Sequence, residues 1–234
     1  MPTPVVLLHG FAATARHWDR VLAALPPERF TPLALDLAGA DPLTPDGVCA
    51  LVAGSCDERF VLVGYSMGGR LALHTALAIP ERVSRLVLLS ASAGIADAGE
   101  RAARRAADEA LAAAIEQDTI EEFVERWRRV TLFASDPDWV RDEVAADERR
   151  CSPAVLAATL RNLGAGSMAP VWDRLGELHM PVALLAGAND GAYLDAARRL
   201  AAAIERATLS VVPAAGHRLA LQAPEAVAAA IAGA

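Results

Sequence analysis

The sequence predicts one α/β domain, with a mostly parallel sheet flanked by helices and a helical cap inserted between two strands. Six short apolar runs alternate with segments of helical periodicity, which is the pattern of a parallel sheet. One long stretch rich in Ala, Arg and Glu carries no strand pattern. The 234 residues are 54% hydrophobic and 22% charged, which excludes disorder and suffices for a large core. We therefore assign 1–93 and 168–234 to the core and 94–167 to the cap.

The strand-like runs are continuously apolar rather than alternating, as expected for strands buried on both faces of a sheet. They lie at 5–8, 32–36, 59–64, 85–89, 181–187 and 208–213. Helical periodicity occurs between them at 16–25, 45–53, 69–79, 193–205 and 224–231. Within the cap, helical periodicity covers 106–115 and 120–129.

Composition and charge exclude several classes of partner. The net charge of −7 and the pI of about 5.3 argue against nucleic acid and against a membrane surface. No run reaches the roughly 18 strongly apolar residues of a spanning helix, and a strand-like run begins at Pro4 without a basic leader. The cysteines are odd in number, lack metal-ligand spacing and are typical of a reducing compartment: Cys49, Cys56 and Cys151. We therefore expect a cytoplasmic protein, as a monomer or a small homo-oligomer.

The strongest chemical signal is the pentapeptide Gly64-Tyr65-Ser66-Met67-Gly68. It follows a predicted strand and precedes a predicted helix, which is the context of a nucleophile elbow. Such a turn is so tight that a Cβ at either flanking position would collide with its neighbours, hence the two glycines. The turn also places Ser66 at a helix N-terminus, which favours developing negative charge. A Gly-Ser turn without chemical meaning is the alternative, and the flanking elements argue against it.

The partners of Ser66 are predicted at the carboxyl ends of later strands. On this kind of sheet the order along the chain is Ser, then acid, then His. His217 follows the last strand as the best base, and Asp190 follows the strand before it as the orienting acid. The remaining candidates are better interpreted as structural or solvated residues: His17, His74, His179, Asp36 and Asp173.

An oxyanion hole needs two backbone amides directed at one point. The residue after the nucleophile, Met67, supplies one. The loop after the first strand reads His9-Gly10-Phe11, and we assign the second amide to Phe11. His9 itself is predicted to anchor the loop rather than to catalyse.

These motifs resemble the α/β-hydrolase fold along the whole chain. Within that fold the sequence most resembles the 2-succinyl-6-hydroxy-2,4-cyclohexadiene-1-carboxylate (SHCHC) synthases of menaquinone biosynthesis. The cap segments discriminate best, because caps vary most between families. The matching segments are HGF (9–11), GYSMGGRLAL (64–73), LLSASAGI (88–95), ERAARRAADEALA (100–112), FVERW (123–127), LFAS (132–135), LAATLRNLGAG (156–166) and WDRL (172–175).

The resemblance implies an elimination rather than a hydrolysis. In that family pyruvate is removed from 2-succinyl-5-enolpyruvyl-6-hydroxy-3-cyclohexene-1-carboxylate. Ser66, activated by His217 and Asp190, would remove a ring proton, and the oxyanion hole would stabilise a dienolate oxygen. No metal or organic cofactor is implied. Two alternatives stay open: a carboxylesterase or related serine hydrolase, and a non-catalytic ligand sensor on the same fold.

A polycarboxylate substrate requires guanidinium groups, which bind carboxylates bidentately. Arg70 lies one helical turn after Ser66, where a fatty-ester hydrolase would gain nothing from it; a solvated Arg70 is the alternative. By resemblance, Arg104, Trp127 and Tyr65 also contact substrate. The family expects a further arginine before Cys151, and Arg149 or Arg150 fits. The loop after HGF lacks the family's glycines, but Thr14 can replace its serine hydroxyl.

Overall fold

The computed structural model describes residues 1–233 and contains a six-stranded sheet in which all neighbouring strands are parallel. Its spatial order is β2-β1-β3-β4-β5-β6. The strands are β1 (Thr3–Leu8), β2 (Phe30–Leu35), β3 (Phe60–Tyr65), β4 (Val83–Leu89), β5 (Val182–Gly187) and β6 (Ala207–Val212). The predicted α/β class and all six strands are confirmed, although β1, β2 and β4 each begin two residues earlier than predicted.

Ten α-helices surround and extend this sheet within residues 1–233. They are α1 (Asp19–Ala24), α2 (Pro45–Ala53), α3 (Met67–Ala78), α4 (Ala98–Ile115), α5 (Ile120–Trp127), α6 (Asp138–Glu148), α7 (Pro153–Leu163), α8 (Gly191–Ala203), α9 (Leu219–Gln222) and α10 (Pro224–Ala232). Short 3₁₀ turns occur at Ala15–Trp18, Leu37–Gly39, Thr131–Phe133 and Trp172–Glu177. The helix predicted at 16–25 is therefore a 3₁₀ turn followed by α1.

Both faces of the sheet are covered, because successive side chains of a strand point to opposite faces. On β1, Val6 and Leu8 pack in the core beneath α2, α3 and α8, whereas Val5 and Leu7 pack beneath α1, α9 and α10. All four side chains are at most 1% exposed. This two-sided burial is the physical reason that the strands appear in the sequence as unbroken apolar runs.

The cap consists of α4 to α7, which are inserted between β4 and β5. It has a small core of its own, in which Ile115, Phe123 and Leu156 are nearly or fully buried. Helix α4 begins at Ala98, where the Asp97 side chain accepts a hydrogen bond from the Glu100 amide. This start lies before the predicted one, and α6 and α7 were not predicted from periodicity.

No helix within residues 1–233 is long and apolar enough to cross a membrane.

Candidate active site

Ser66 occupies a sharp turn between β3 and α3. Its φ of 52° and ψ of −111° lie in a region that costs an L residue on the order of 1–3 kcal/mol. The turn is held because the Ser66 amide donates to the Leu89 carbonyl at 2.9 Å. A Cβ on Gly64 would lie 2.4 Å from the carbonyl oxygen of Gly68, and one on Gly68 would lie 2.2 Å from that of Leu8. Only glycine fits at these two positions.

Three side chains from three loops converge at the carboxyl edge of the sheet. Nε2 of His217 lies 3.0 Å from Oγ of Ser66, and Nδ1 of His217 lies 2.8 Å from Oδ2 of Asp190. His217 and Asp190 are 1% and 4% exposed. Because the carboxylate accepts a hydrogen bond only from a protonated Nδ1, the neutral imidazole presents an unprotonated Nε2 to the hydroxyl. This arrangement can take a proton from Ser66.

The two residues assigned to the oxyanion hole, Phe11 and Met67, border the same cavity as Ser66. Met67 is the first residue of α3, where the amide has no intrahelical acceptor. The close approach of Gly68 to the end of β1 places the Phe11 loop beside this helix start. This placement is compatible with the predicted oxyanion hole, which remains a prediction.

A cavity of about 340 Å³ lies between the sheet edge and the cap. This volume is within the size range of small-molecule sites. Its floor is formed by the core residues of the Ser66 and His217 loops, and its roof by the cap. The apolar part of the wall comes mainly from Phe11, Leu111, Trp127, Val130, Leu132, Phe133 and Leu160. Its cations are Arg70 and Arg104.

Comparison with known proteins agrees with this geometry. Residues 5–230 match the model of the "Alpha/beta hydrolase family". The chain belongs to this family. It is 32% identical over 236 residues to a putative SHCHC synthase of Bacillus subtilis, covering 94% of this chain and 85% of the relative. The SHCHC synthase of Serratia proteamaculans is 29% identical to this chain, and the alignment covers 96% of this chain and 90% of the relative.

Solved structures extend the likeness to three dimensions. MenH from S. aureus superimposes with a TM-score of 0.92 at 28% identity, covering 99% of this chain and 92% of that one. An esterase from Thermogutta terrifontis superimposes with a TM-score of 0.86 at 22% identity, and the superposition covers 100% of this chain and 89% of the esterase chain. The second likeness shows the fold alone. Within the alpha/beta hydrolase family, this chain is therefore similar to SHCHC synthases over nearly its full length.

Arg70 lies in the cavity wall and is only 7% exposed. Its Nη2 donates a long hydrogen bond of 3.4 Å to the Leu163 carbonyl, and Tyr193 adds a weak interaction. Among residues 1–233, Nε of Arg70 has no hydrogen-bond partner. Burial lowers the pKa of this guanidinium below its usual range. The alternative of a solvated Arg70 is excluded. Tyr193 and Asp108 favour the charge of Arg70, but Asp108 is hydrogen-bonded to Arg104, and no carboxylate within residues 1–233 forms a salt bridge with Arg70.

Arg104 reaches the same cavity from α4 but is bound differently. Its Nε donates to Oδ1 of Asp108 at 2.8 Å, and its side chain is 47% exposed. Asp108 is 4% exposed and also accepts a hydrogen bond of 3.4 Å from the Gly166 amide. Arg104 is thus oriented by a buried carboxylate, and the remaining guanidinium donors are available to a ligand.

Tyr65 and Trp127 lie in the cavity wall as expected from the resemblance. The Tyr65 ring stacks on His17 with centroids 4.6 Å apart, and burial raises the pKa of the Tyr65 hydroxyl. Burial also lowers the pKa of His17 to about 3, so its ring is neutral. Trp127 packs edge-on against Phe11 with centroids 5.1 Å apart. The two aromatic residues therefore both shape the cavity that contains Ser66.

Thr14 and Arg149 are placed outside this wall. Oγ1 of Thr14 donates to Oδ1 of Asp147 at 2.6 Å, so its hydroxyl binds the cap. Arg149 is exposed at the end of α6, because Glu148 takes the buried position there. Of the two arginines that fit the expected position, Arg150 lines a smaller cavity of about 190 Å³ that adjoins the first, and Thr14 lines it too.

Other histidines bind backbone groups, as their structural interpretation requires. Nε2 of His9 accepts a hydrogen bond of 3.1 Å from the Leu37 amide, which anchors the loop after β1. Nε2 of His74 lies 3.1 Å from the Ala169 carbonyl. Neither residue borders the Ser66 cavity.

Sequence reasoning missed three residues that border or support the site. Tyr193 lines the cavity with its ring centroid 4.4 Å from that of His217, and Phe133 lies 6.0 Å away. Arg218 is buried directly after His217. A signal existed for two of them: Tyr193 is an aromatic residue one helical turn after the acid, and Arg218 is a charge inside the apolar segment GHRLAL.

Proposed function

We propose that this chain is an SHCHC synthase-like lyase, which eliminates pyruvate from 2-succinyl-5-enolpyruvyl-6-hydroxy-3-cyclohexene-1-carboxylate. The observation that carries the proposal is the buried, largely uncompensated guanidinium of Arg70 in the same cavity as Ser66 and His217. Buried charges in proteins are normally paired. An anionic substrate supplies the missing partner, which a neutral ester does not. The relatives named above support the same substrate class.

The proposed reaction uses the three converging side chains as a proton-transfer chain. Nε2 of His217 takes the proton of Ser66, and Asp190 holds the imidazole in the required tautomer. The Ser66 oxygen then removes the ring proton next to the succinyl ketone. The electron pair moves through the ring and the C–O bond to the enolpyruvyl group breaks. That group departs as the enolate of pyruvate, which becomes pyruvate by taking up the proton that His217 holds.

The oxyanion hole acts on the ketone in this scheme. Removal of the neighbouring proton places negative charge on the ketone oxygen, which the Phe11 and Met67 amides stabilise as a dienolate. Arg70 and Arg104 bind the substrate carboxylates. Bidentate guanidinium contacts fix the ring so that its acidic proton faces Ser66.

Ester hydrolysis is the second candidate, because the 3.0 Å contact between Ser66 and His217 equally activates the hydroxyl as a nucleophile. Fold and proton-transfer chain do not separate the two reactions. The cavity cations do, because only the polycarboxylate reaction requires them.

A paired assay tests the proposal. The enolpyruvyl substrate is generated enzymatically in situ and pyruvate release is followed, while a p-nitrophenyl acyl ester is supplied separately. We expect pyruvate release by the wild-type protein, and its loss in Ser66→Ala and Arg70→Ala. Arg105→Ala is the matched control, since Arg105 is exposed on the same cap helix as Arg104 and lies outside the Ser66 cavity. Rapid ester turnover that is insensitive to Arg70→Ala, without pyruvate release, would establish the hydrolase instead.

A further inference from the structure

Arg218 is a buried cation of the core that contacts two acidic residues of the cap. Its Nη1 lies 3.1 Å from Oδ2 of Asp136, and its Nη2 lies 3.5 Å from Oε1 of Glu148. The three side chains are 5%, 0% and 2% exposed. Asp136 precedes α6 and Glu148 is its last residue. One core side chain therefore holds both ends of a cap helix.

The same cluster extends to the wall of the active cavity. The guanidinium carbon of Arg218 lies 3.8 Å from the ring centroid of Phe133, a geometry typical of a cation–π contact. Phe133 borders the cavity, and its ring centroid is 6.0 Å from that of His217. Displacement of this guanidinium would remove the support behind an aromatic side chain that faces the reacting imidazole.

Gln222 connects the cluster to the other side of His217. Its Nε2 donates to Oδ1 of Asp136 at 2.8 Å, and its Oε1 accepts from the Gly216 amide at 2.8 Å. The residue before His217 and the residue after it are thus both attached to Asp136. The backbone that carries the imidazole is held against the cap at two points.

Stability alone is a poor explanation for this cluster. Desolvation of buried ions often outweighs their mutual attraction, and apolar replacements of similar volume are frequently as stable or more stable. Burial raises the pKa of Asp136 and raises that of Glu148 to about 8, because desolvation of each carboxylate outweighs its attraction to Arg218. The polar contacts of the cluster give the groups that they connect a defined orientation. Apolar side chains would not.

We propose that Arg218 is a positioning residue, which fixes His217 and Phe133 in their reactive arrangement by attaching the His217 loop to Asp136 and Glu148 of the cap. The role rests on the proposed function only in taking Ser66 and His217 as the reacting pair. It applies equally to elimination and to ester hydrolysis.

The test uses a readout that does not depend on the natural substrate. A fluorophosphonate probe phosphonylates an activated serine: Oγ of Ser66 attacks phosphorus, fluoride leaves, and His217 accepts the proton. We expect Arg218→Met to lower the labelling rate about 10- to 100-fold, the range expected for misplaced catalytic groups. Its Tm falls as well, because Asp136 is left buried and unpaired. The same loss appears in kcat of the reaction that the protein catalyses.

A second variant separates positioning from folding. Arg218→Met combined with Asp136→Asn and Glu148→Gln removes all the charges of the cluster, so no unpaired ion is left buried. We expect its Tm to return toward that of the wild-type protein while the labelling rate stays low. Arg20→Met is the matched control, since Arg20 forms an exposed pair with Glu143 of α6 at 2.6 Å and likewise joins core to cap. Its labelling rate should equal that of the wild type.

A labelling rate that recovers together with Tm in the triple variant would overturn the proposal, since Arg218 would then be merely stabilising. An unchanged rate in folded Arg218→Met would overturn it too. A wild-type protein that is labelled, and whose labelling depends on Arg218, but that releases no pyruvate refutes the proposed lyase function and supports the positioning role.

Discussion

Replacement of Arg70 by methionine should raise the stability of the protein while abolishing its preference for anionic substrates. Arg70 is 7% exposed, and its contacts within residues 1–233 include no close carboxylate. The neighbouring carboxylate of Asp108 is hydrogen-bonded to Arg104 instead. Folding therefore desolvates a cation without full compensation. Methionine is shorter than arginine but keeps most of the volume of its flexible stem and removes the charge. Replacement of a buried ion pair by apolar side chains of similar volume is often neutral or stabilising by about 1–4 kcal/mol, and for this single cation we expect a gain of about 1–3 kcal/mol.

For a chain of this length, each kcal/mol shifts Tm by about 2–4 °C. A gain of about 1–3 kcal/mol in the free energy of unfolding thus predicts a rise of about 2–12 °C in Arg70→Met. Loss of a charge-assisted contact to the substrate should cost about 2–4 kcal/mol in transition-state binding. That is about a 30- to 1,000-fold decrease in kcat/KM for the polycarboxylate.

Differential scanning fluorimetry and steady-state kinetics test both halves on the same preparation. Arg70→Lys is the control, since it retains the charge and should show no rise in Tm but a partial loss of kcat/KM. Turnover of a neutral p-nitrophenyl ester should change by less than about threefold in Arg70→Met. A Tm below that of the wild type, or unchanged kcat/KM for the polycarboxylate, would refute the reasoning.

Three further perturbations follow from the geometry. Asp190→Asn removes the charge that orients His217 and should lower kcat about 10⁴-fold in single-turnover assays; a loss below tenfold would contradict the assigned role. Gly68→Ala places a Cβ 2.2 Å from the Leu8 carbonyl oxygen and should cost about 3 kcal/mol in thermal denaturation, whereas Gly39→Ala, with nothing within 4 Å, should not. The folded-state pKa of Glu148, about 8, exceeds its ordinary value of 4.5, so its stabilising contribution is complete below about pH 4.5 and lost as pH rises through 8. The Tm of Glu148→Gln should therefore rise relative to that of the wild type between about pH 5 and pH 9. The charged residues that act on Glu148 are the same in both proteins: Arg218, Asp147, Arg128 and Arg149. Parallel pH profiles of Tm would contradict this.

The strands and the nucleophile elbow could be predicted because their determinants are local. The apolar run of β3, the glycines around Ser66 and the chain order of Asp190 and His217 all lie in short stretches of sequence. Their convergence follows from the rule that the carboxyl ends of parallel strands meet at one sheet edge. No distant contact has to be known to infer that these side chains are close.

Helix α6 and the cluster around Arg218 escaped prediction for one shared reason. The buried face of α6 carries Val140, Val144 and Glu148, which are four residues apart along the helix. A carboxylic acid side chain thus occupies the position where an apolar residue would complete the apolar stripe of the helix. The partner of Glu148 in the folded protein is Arg218, which lies far along the chain and faces it at 3.5 Å. A tertiary partner thus obscured the local pattern, and the resemblance to a family directed attention to Arg149 instead.

The two buried arginines, Arg218 and Arg70, differ in the partners that the protein gives them. We infer from this difference that Arg218 is a structural cation and Arg70 a ligand-binding one. Arg218 faces two carboxylates and an aromatic ring, which satisfy its charge within the protein. Arg70, equally buried, has a distant carbonyl, a tyrosine and an unpartnered Nε within residues 1–233. Under the proposed function, its presence beside Ser66 is explained by a partner that arrives with the substrate, because an uncompensated buried charge lowers stability. In that case the free energy that folding loses at Arg70 is recovered when a carboxylate binds, and the residue that destabilises the unliganded protein is the one that we propose to select anionic molecules.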